Sequence, residues 1–306
     1  MPFSHHSHSG QFCGHAKGQL EDMVQTAIER KMYVFALTEH MPRDIEDFYP
    51  EEIENHPNGE SLWALTDQFY AEATRLKHKY ESKINLPIGF ESEWIRSSTI
   101  GLIERLQQKY AFDFFVGSVH HVHTIPIDFD RKMYEEARSK SGSTDEQLFK
   151  DYFDAQYDML QALQPPVVGH FDLIRLFSED PERNLQQWAG VWSKIKRNLQ
   201  YMAEYGGILE LNSSALRKGM TEPYPTIEIS KEFLKLKGRF TLSDDSHSLD
   251  QIGFNYSRVL AAIQRIGITQ LYYYGTCQKR AGAVNSTDGF VATSLASLEE
   301  SEFWRK

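Results

Sequence analysis

The sequence predicts a parallel α/β architecture closed into a barrel, on three observations. Short apolar or β-prone runs alternate with stretches of helical periodicity along the chain. Seven such runs can be counted, each separated from the next by a segment long enough for a helical crossover. Most are followed at once by a histidine or a carboxylate: His6-Ser7-His8, Glu39-His40, Glu91, His120, His170 and Asp245-Ser246-His247. All strands of a barrel end on one face, so a polar group recurring at strand ends favours a barrel over an open sheet.

The first strand is expected at residues 2–6. Residues 18–30 carry Leu20, Met23, Val24, Ala27 and Ile28 at i, i+3, i+4, i+7 and i+8, one face of a helix. The apolar run 33–37 reads as a buried strand. Residues 61–80 return to helix with Leu62, Leu65, Phe69 and Leu76. Further strands are expected at 88–91, 112–117, 166–168, 208–211 and 239–242. Helices are expected between them at 185–205 and 226–236, the second opened by Pro225. Residues 125–145 are polar and longer than a typical loop, and are expected to lie over the site. No internal repeat or interdomain linker is visible, so residues 1–306 read as one domain. Residues 271–274 form an extra edge strand and 277–306 a C-terminal appendage.

Composition narrows the function. The 306 residues are 41% apolar, enough for a sizeable core. A net charge of −10 and a pI of about 5.7 argue against broad nucleic-acid binding, which needs Lys/Arg surfaces. A small anionic substrate remains compatible with a locally positive pocket. The two cysteines, Cys13 and Cys277, make no disulfide framework. The N-terminus has no apolar run of signal-peptide length, and nothing approaches the roughly 20 apolar residues of a membrane span, so a cytoplasmic protein is expected. The histidine-rich start is irregularly spaced and runs straight into Gln11-Phe12-Cys13-Gly14-His15, as native sequence rather than a tag would.

His6 and His8 share one face of a strand, as do Asp245 and His247, because side chains alternate with period two. Each pair alone is more often a surface or structural feature, and His120 or His170 alone is usually a hydrogen-bonded core histidine. Together with His15, His40 and Glu91 they make nine N/O donors with no cysteine among them. That is too many for one zinc and enough for two or three divalent ions. Such a centre, with a metal-activated hydroxide, is the usual apparatus for phosphate-ester hydrolysis. Histidine ligands need acceptors to hold their tautomers, and Glu39, Glu93, Asp172, Asp244 and Glu210 are placed for this. Glu39 and Asp172, within two residues of a candidate ligand, are the first choices for catalytic carboxylates. Arg175 and Arg217 follow strand ends and offer forks for phosphate oxygens, with Lys218 a weaker third.

The order of these motifs resembles that of the polymerase and histidinol phosphatase (PHP) superfamily, over residues 1 to about 260. Within it, three segments are similar to histidinol-phosphate phosphatases in particular: Gln11-Phe12-Cys13-Gly14-His15-Ala16, Ser118-Val119-His120-His121 with residues 125–130, and Glu210-Leu211-Asn212 with Leu216-Arg217-Lys218. The resemblance implies a distorted (β/α)7 barrel with its site at the C-terminal strand ends, and a trinuclear centre of Mn, Fe or Zn. The ligands would be His6, His8, His15, His40, Glu91, His120, His170, Asp245 and His247. It further implies hydrolysis of L-histidinol phosphate in histidine biosynthesis, a metal-bridging hydroxide attacking phosphorus. Asp128, Asp130, Glu93 and Asp172 would be available to meet the cationic part of that substrate. The partner expected is this small phosphomonoester, with no nucleic acid and no membrane, in a monomer or homodimer. Ser4 departs from the acidic residue many members carry two positions before the first histidine. The same ligand set would also suit a phosphoesterase or exonuclease on nucleotides, a protein-tyrosine phosphatase, or a non-catalytic metal-binding domain.

Overall fold

A computed structural model describes residues 2–275 and 287–304. The chain opens with β1 (Phe3–Ser4), α1 (Leu20–Glu29), β2 (Val34–Phe35), α2 (Pro50–Asn55) and α3 (Gly59–Lys79). β3 (Gly89–Glu93), α4 (Thr99–Lys109) and β4 (Phe114–Ser118) follow. A small hairpin, β5 (His121–Val122) with β6 (Ile125–Pro126), leads into α5 (Arg131–Lys140) and α6 (Asp145–Leu163). Then come β7 (Val167–Val168), α7 (Ala189–Tyr205), β8 (Ile208–Asn212), α8 (Ser214–Arg217), α9 (Ile227–Lys235), β9 (Arg239–Ser243) and α10 (Tyr256–Ile266). β10 (Gln270–Tyr274), β11 (Phe290–Ser294) and α11 (Leu295–Glu299) follow, and the described chain ends in a short 3-10 turn at Glu302–Trp304. All seven expected strands form where the apolar runs lie. α1 buries Leu20, Met23, Val24 and Ala27, the stripe its spacing predicts.

Two parallel ladders carry the seven strands, β1-β2 and β3-β4-β7-β8-β9. Among the described residues no continuous ladder joins them. Isolated parallel bridges do, Leu37↔Ile88 and His40↔Glu91 on one side and Ser7↔Ser246 on the other, helped by His5 N donating to Leu242 O at 3.3 Å. This sparse pairing is the distortion in the barrel.

The opposite end of the barrel is apolar. Ala36, Phe114, Val116, Val167 and Ile208 pack with Tyr274 and Phe290 from the C-terminal hairpin. His5, fully buried there, takes a hydrogen bond from Tyr274 N at 2.9 Å and packs on Phe290 at 5.3 Å. Burying one such phenylalanine is worth about 1.5–3 kcal/mol. Within the described part of the C-terminal segment, Phe290 packs into this cluster. Cys277 lies outside the described residues.

One expectation is corrected. Residues 125–145 are not a loop but contain β6 and α5. Asp130 caps that helix by accepting from Met133 N at 2.7 Å, and Tyr134 and Ala137 bury its inner face. The helices α2, α4, α6, α8, α10 and α11 were given no range by the sequence.

Candidate metal centre

All nine candidate donors meet at the C-terminal strand ends, with Glu91 at their middle. Glu91 Oε2 lies 3.2 Å from His6 Nε2, 3.4 Å from His8 Nε2 and 3.0 Å from His40 Nδ1. Glu91 Oε1 lies 3.0 Å from His120 Nε2 and 2.9 Å from His170 Nε2. Asp245 Oδ1 is 3.7 Å from His6 Nε2 and 3.6 Å from His8 Nε2. His247 directs Nδ1 at Asp245 O, at 2.9 Å, and His15 directs Nδ1 at Glu51 Oε1, at 2.8 Å. Small residues make this convergence sterically feasible. A Cβ on Gly169, just before His170, would stand 2.8 Å from both Ser118 Oγ and Val116 Cγ1. Asp245 adopts φ 49°, an uncommon conformation for a non-glycine residue and one that clusters at functional sites.

The electrostatics divide the histidines. Burial opposes the charge on His6, but Glu91, Asp245 and Glu210 outweigh it and hold its pKa well above the usual value. His40 is raised in the same way, chiefly by Glu91 against burial. His120 rises to about 10, where Asp128 and Glu91 overcome burial. Burial with His40 and His247 nearby keeps His8 well below normal, and His247 is lowered to about 3 mainly by burial. Glu91 is held well below the carboxylate range by His6, His120 and His40, against the burial that would raise it.

The donor set fits divalent ions. His6 Nε2, both ring nitrogens of His8 and His40 Nε2 are buried without a hydrogen-bond partner, which is costly unless something else satisfies them. Donor atoms lie within 4.8 Å of one another in several overlapping groups: His6, His8 and Glu91; His6, His170 and Asp245; His8, Asp245 and His247; Glu91, His120 and His170; and Cys13, His15, His40 and His247. Carboxylates behind the ring hold the imidazoles in place. Glu210 Oε1 meets His6 Nδ1 at 3.0 Å and Asp128 Oδ2 meets His120 Nδ1 at 2.9 Å.

Beside the ring opens a cavity of about 300 Å³, lined in part by Tyr49, Asp128, Phe129, Leu173, Arg217, Lys218 and Gln251. Arg217 and Lys218, the candidate phosphate-binding cations, line this cavity. Arg175 does not. It is 1% exposed, paired with Asp172 Oδ2 at 2.8 Å, and it donates to Pro181 O at 2.9 Å and Pro223 O at 3.3 Å. Asp172 is equally enclosed and also accepts from Thr226 N at 3.0 Å. The pair braces the loops behind the site, because its fork is consumed by protein acceptors. Glu39 also stays outside the cavity. Its Oε1 accepts from Ser9 N at 2.8 Å and Ser9 Oγ at 2.7 Å, its Oε2 faces His8 Nδ1 at 3.7 Å, and burial lifts its pKa to about 8. It positions the loop carrying His8. Ser4, the departure from the expected acidic residue, donates to Asp244 Oδ1 at 3.0 Å.

Sequence reasoning did not find Asp128 as the partner of His120, nor Tyr49 and Phe129 as a stacked wall with ring centroids 5.7 Å apart. Asp128 and Phe129 lie in the stretch read as loop, and Tyr49 is far from any strand end. The bracing role of Arg175 gives a first expectation. Arg175→Met should cost roughly 3–5 kcal/mol of stability by leaving Asp172 buried and unpaired, with metal content unchanged. A variant of normal stability that has lost phosphate affinity would return Arg175 to a substrate role.

A profile of the PHP domain family matches residues 4–214. A Schizosaccharomyces pombe protein described as a probable histidinol-phosphatase is 45% identical over 303 residues, covering 96% of this chain and 98% of its own. The Saccharomyces cerevisiae histidinol-phosphatase is 33% identical, covering 88% and 90%. A solved structure of histidinol phosphate phosphatase from Lactococcus lactis, in complex with zinc, L-histidinol and phosphate, superimposes with a TM-score of 0.67 at 19% identity, covering 89% of this chain and 95% of that one.

Proposed function

This chain belongs to the PHP domain family, and from that premise we propose that its centre hydrolyses L-histidinol phosphate to L-histidinol and phosphate, with two to three divalent ions held by the nine donors. One observation carries the reading. A ring of imidazoles and carboxylates opens into the same cavity as Arg217, Lys218, Asp128 and the Tyr49–Phe129 wall. When bound, the ions supply Lewis-acid stabilisation of the phosphate oxygens and a water nucleophile active near neutral pH. The N and O atoms of the nine donors suit Mn, Fe or Zn.

The protein's own part is positioning and charge. Arg217 and Lys218 face the cavity as cations and hold the non-reacting phosphate oxygens. Glu210 and Asp128 fix the rings of His6 and His120, so these cannot swing away as charge shifts. Asp128 offers an anion, and Tyr49 and Phe129 an aromatic face, to a substrate that carries an amine and an imidazole. The wall thereby favours a cationic amino-alcohol over a neutral one.

Phosphate release should be measured from histidinol phosphate beside sugar phosphates, nucleotides and phosphotyrosine. A site that pairs the amine and imidazole should prefer histidinol phosphate in kcat/KM by roughly 10³-fold or more, and chelation should abolish turnover. Equal rates across the panel would discard the histidine-pathway substrate and leave a general metallophosphatase. No turnover of any phosphomonoester by metal-loaded protein would favour a non-catalytic metal-binding domain.

Metal loading should also be linked to pH. In the metal-free centre His6, His40 and His120 have raised pKa values, so they carry protons at pH 7 that a metal must displace. Affinity should therefore fall as pH is lowered. Calorimetric titration at pH 7 should give heats that differ between buffers of different ionisation enthalpy, and buffer-independent heats would sink this account.

A further inference from the structure

We infer that Cys13 is a sulfur donor to the ion held by His15, His40 and His247, which makes one position of the centre a mixed sulfur and nitrogen site. The inference rests on the metal reading above and extends it to a residue the nine-donor set omits. Cys13, His15, His40 and His247 place one donor atom each within 4.8 Å of one another. Cys13 Sγ lies 3.3 Å from His15 Nε2. Sulfur and nitrogen sharing one tetrahedral zinc at bond lengths of about 2.3 and 2.0 Å stand roughly 3.5 Å apart, so the spacing is already that of two ligands.

The surroundings hold these donors ready. Cys13 N donates to Ser9 O at 2.9 Å, which fixes the loop after β1, and the side chain is 6% exposed. Glu51 occupies Nδ1 of His15 and so turns Nε2 toward the sulfur. The carbonyl of Asp245 engages Nδ1 of His247 and leaves its Nε2 open. Nε2 of His40 is buried and has no hydrogen-bond partner. On metal binding the thiol proton passes to solvent and the thiolate lone pair forms the bond. A thiolate is a soft donor, so this position should prefer zinc or cobalt(II) to manganese.

Cobalt loading of Cys277→Ser protein, in which Cys13 is the remaining thiol, should produce a sulfur-to-cobalt charge-transfer band in the near ultraviolet. Adding Cys13→Ser should remove that band while the visible cobalt bands persist, and should cut the preference for zinc over manganese by about tenfold or more. Cobalt bound without the band would overturn the sulfur donor and leave the metal centre standing. Failure of the Cys277→Ser protein to bind cobalt at all would overturn both. If the double variant does not fold, the spectrum of the single variant decides alone. An unchanged zinc preference in a folded double variant would also count against the sulfur.

Discussion

Glu91→Gln should empty the centre of metal and lower kcat by roughly a thousandfold or more, since a divalent ion supplies several kcal/mol of transition-state stabilisation. Among the described residues no other side chain touches so many of the donors. Its two oxygens lie between 2.9 and 3.4 Å from nitrogens of His6, His8, His40, His120 and His170. A neutral amide keeps the shape but cannot serve as an anionic ligand. It also leaves the raised histidines without the charge that stabilises them. Removing one partner of a buried, charged cluster typically costs about 3–5 kcal/mol, so the metal-free variant should melt well below the metal-free parent. Elemental analysis and calorimetry test the two halves separately. A variant with its metals intact and near-normal kcat would show that Glu91 is not the hub.

What could be read in advance follows from how locally each feature is encoded. A buried strand needs only a few apolar residues, and a barrel requires its functional groups immediately after them. His6, Glu91, His120, His170 and Asp245 could therefore be placed from a few residues of context each. Features made by distant segments were not legible. Asp128 reaches His120 because β5 and β6 form a tight hairpin, and a polar stretch such as 125–145 gives little apolar signal of that turn. The burial of Tyr134 on Asp145, at 3.0 Å, is equally a product of tertiary packing. α6 had a readable face in Leu148, Phe149, Tyr152, Phe153, Met159 and Leu160. The Asp172–Arg175 pair could also have been seen, since opposite charges three apart on a helical turn meet each other before they meet a ligand. An arginine after a strand end is thus ambiguous until its acceptors are counted, and the count separates Arg175 from Arg217.

Arg217→Ala should raise the transition-state barrier by about 2–4 kcal/mol, the scale for losing one preorganised charge at a reacting group. Arg217 ends α8 and lines the cavity, only partly buried. Its Nη1 donates to Asp244 O at 3.2 Å and its Nη2 to Asp245 O at 3.1 Å. These carbonyls fix the guanidinium plane and leave other N–H groups of its five free for phosphate. The same two bonds hold the turn that presents Asp245, so metal content must be measured alongside the kinetics. With metals retained, the loss should fall on kcat/KM for every phosphomonoester alike, because the phosphate is common to all. Arg217→Lys should recover part of it, since an ammonium restores the charge but not the bidentate geometry. Lys218, exposed on the next position, cannot substitute, because no comparable pair of carbonyl contacts from the described residues orients it. Unaltered kcat/KM in the alanine variant would show that Arg217 braces the Asp244–Asp245 turn and does not touch the substrate.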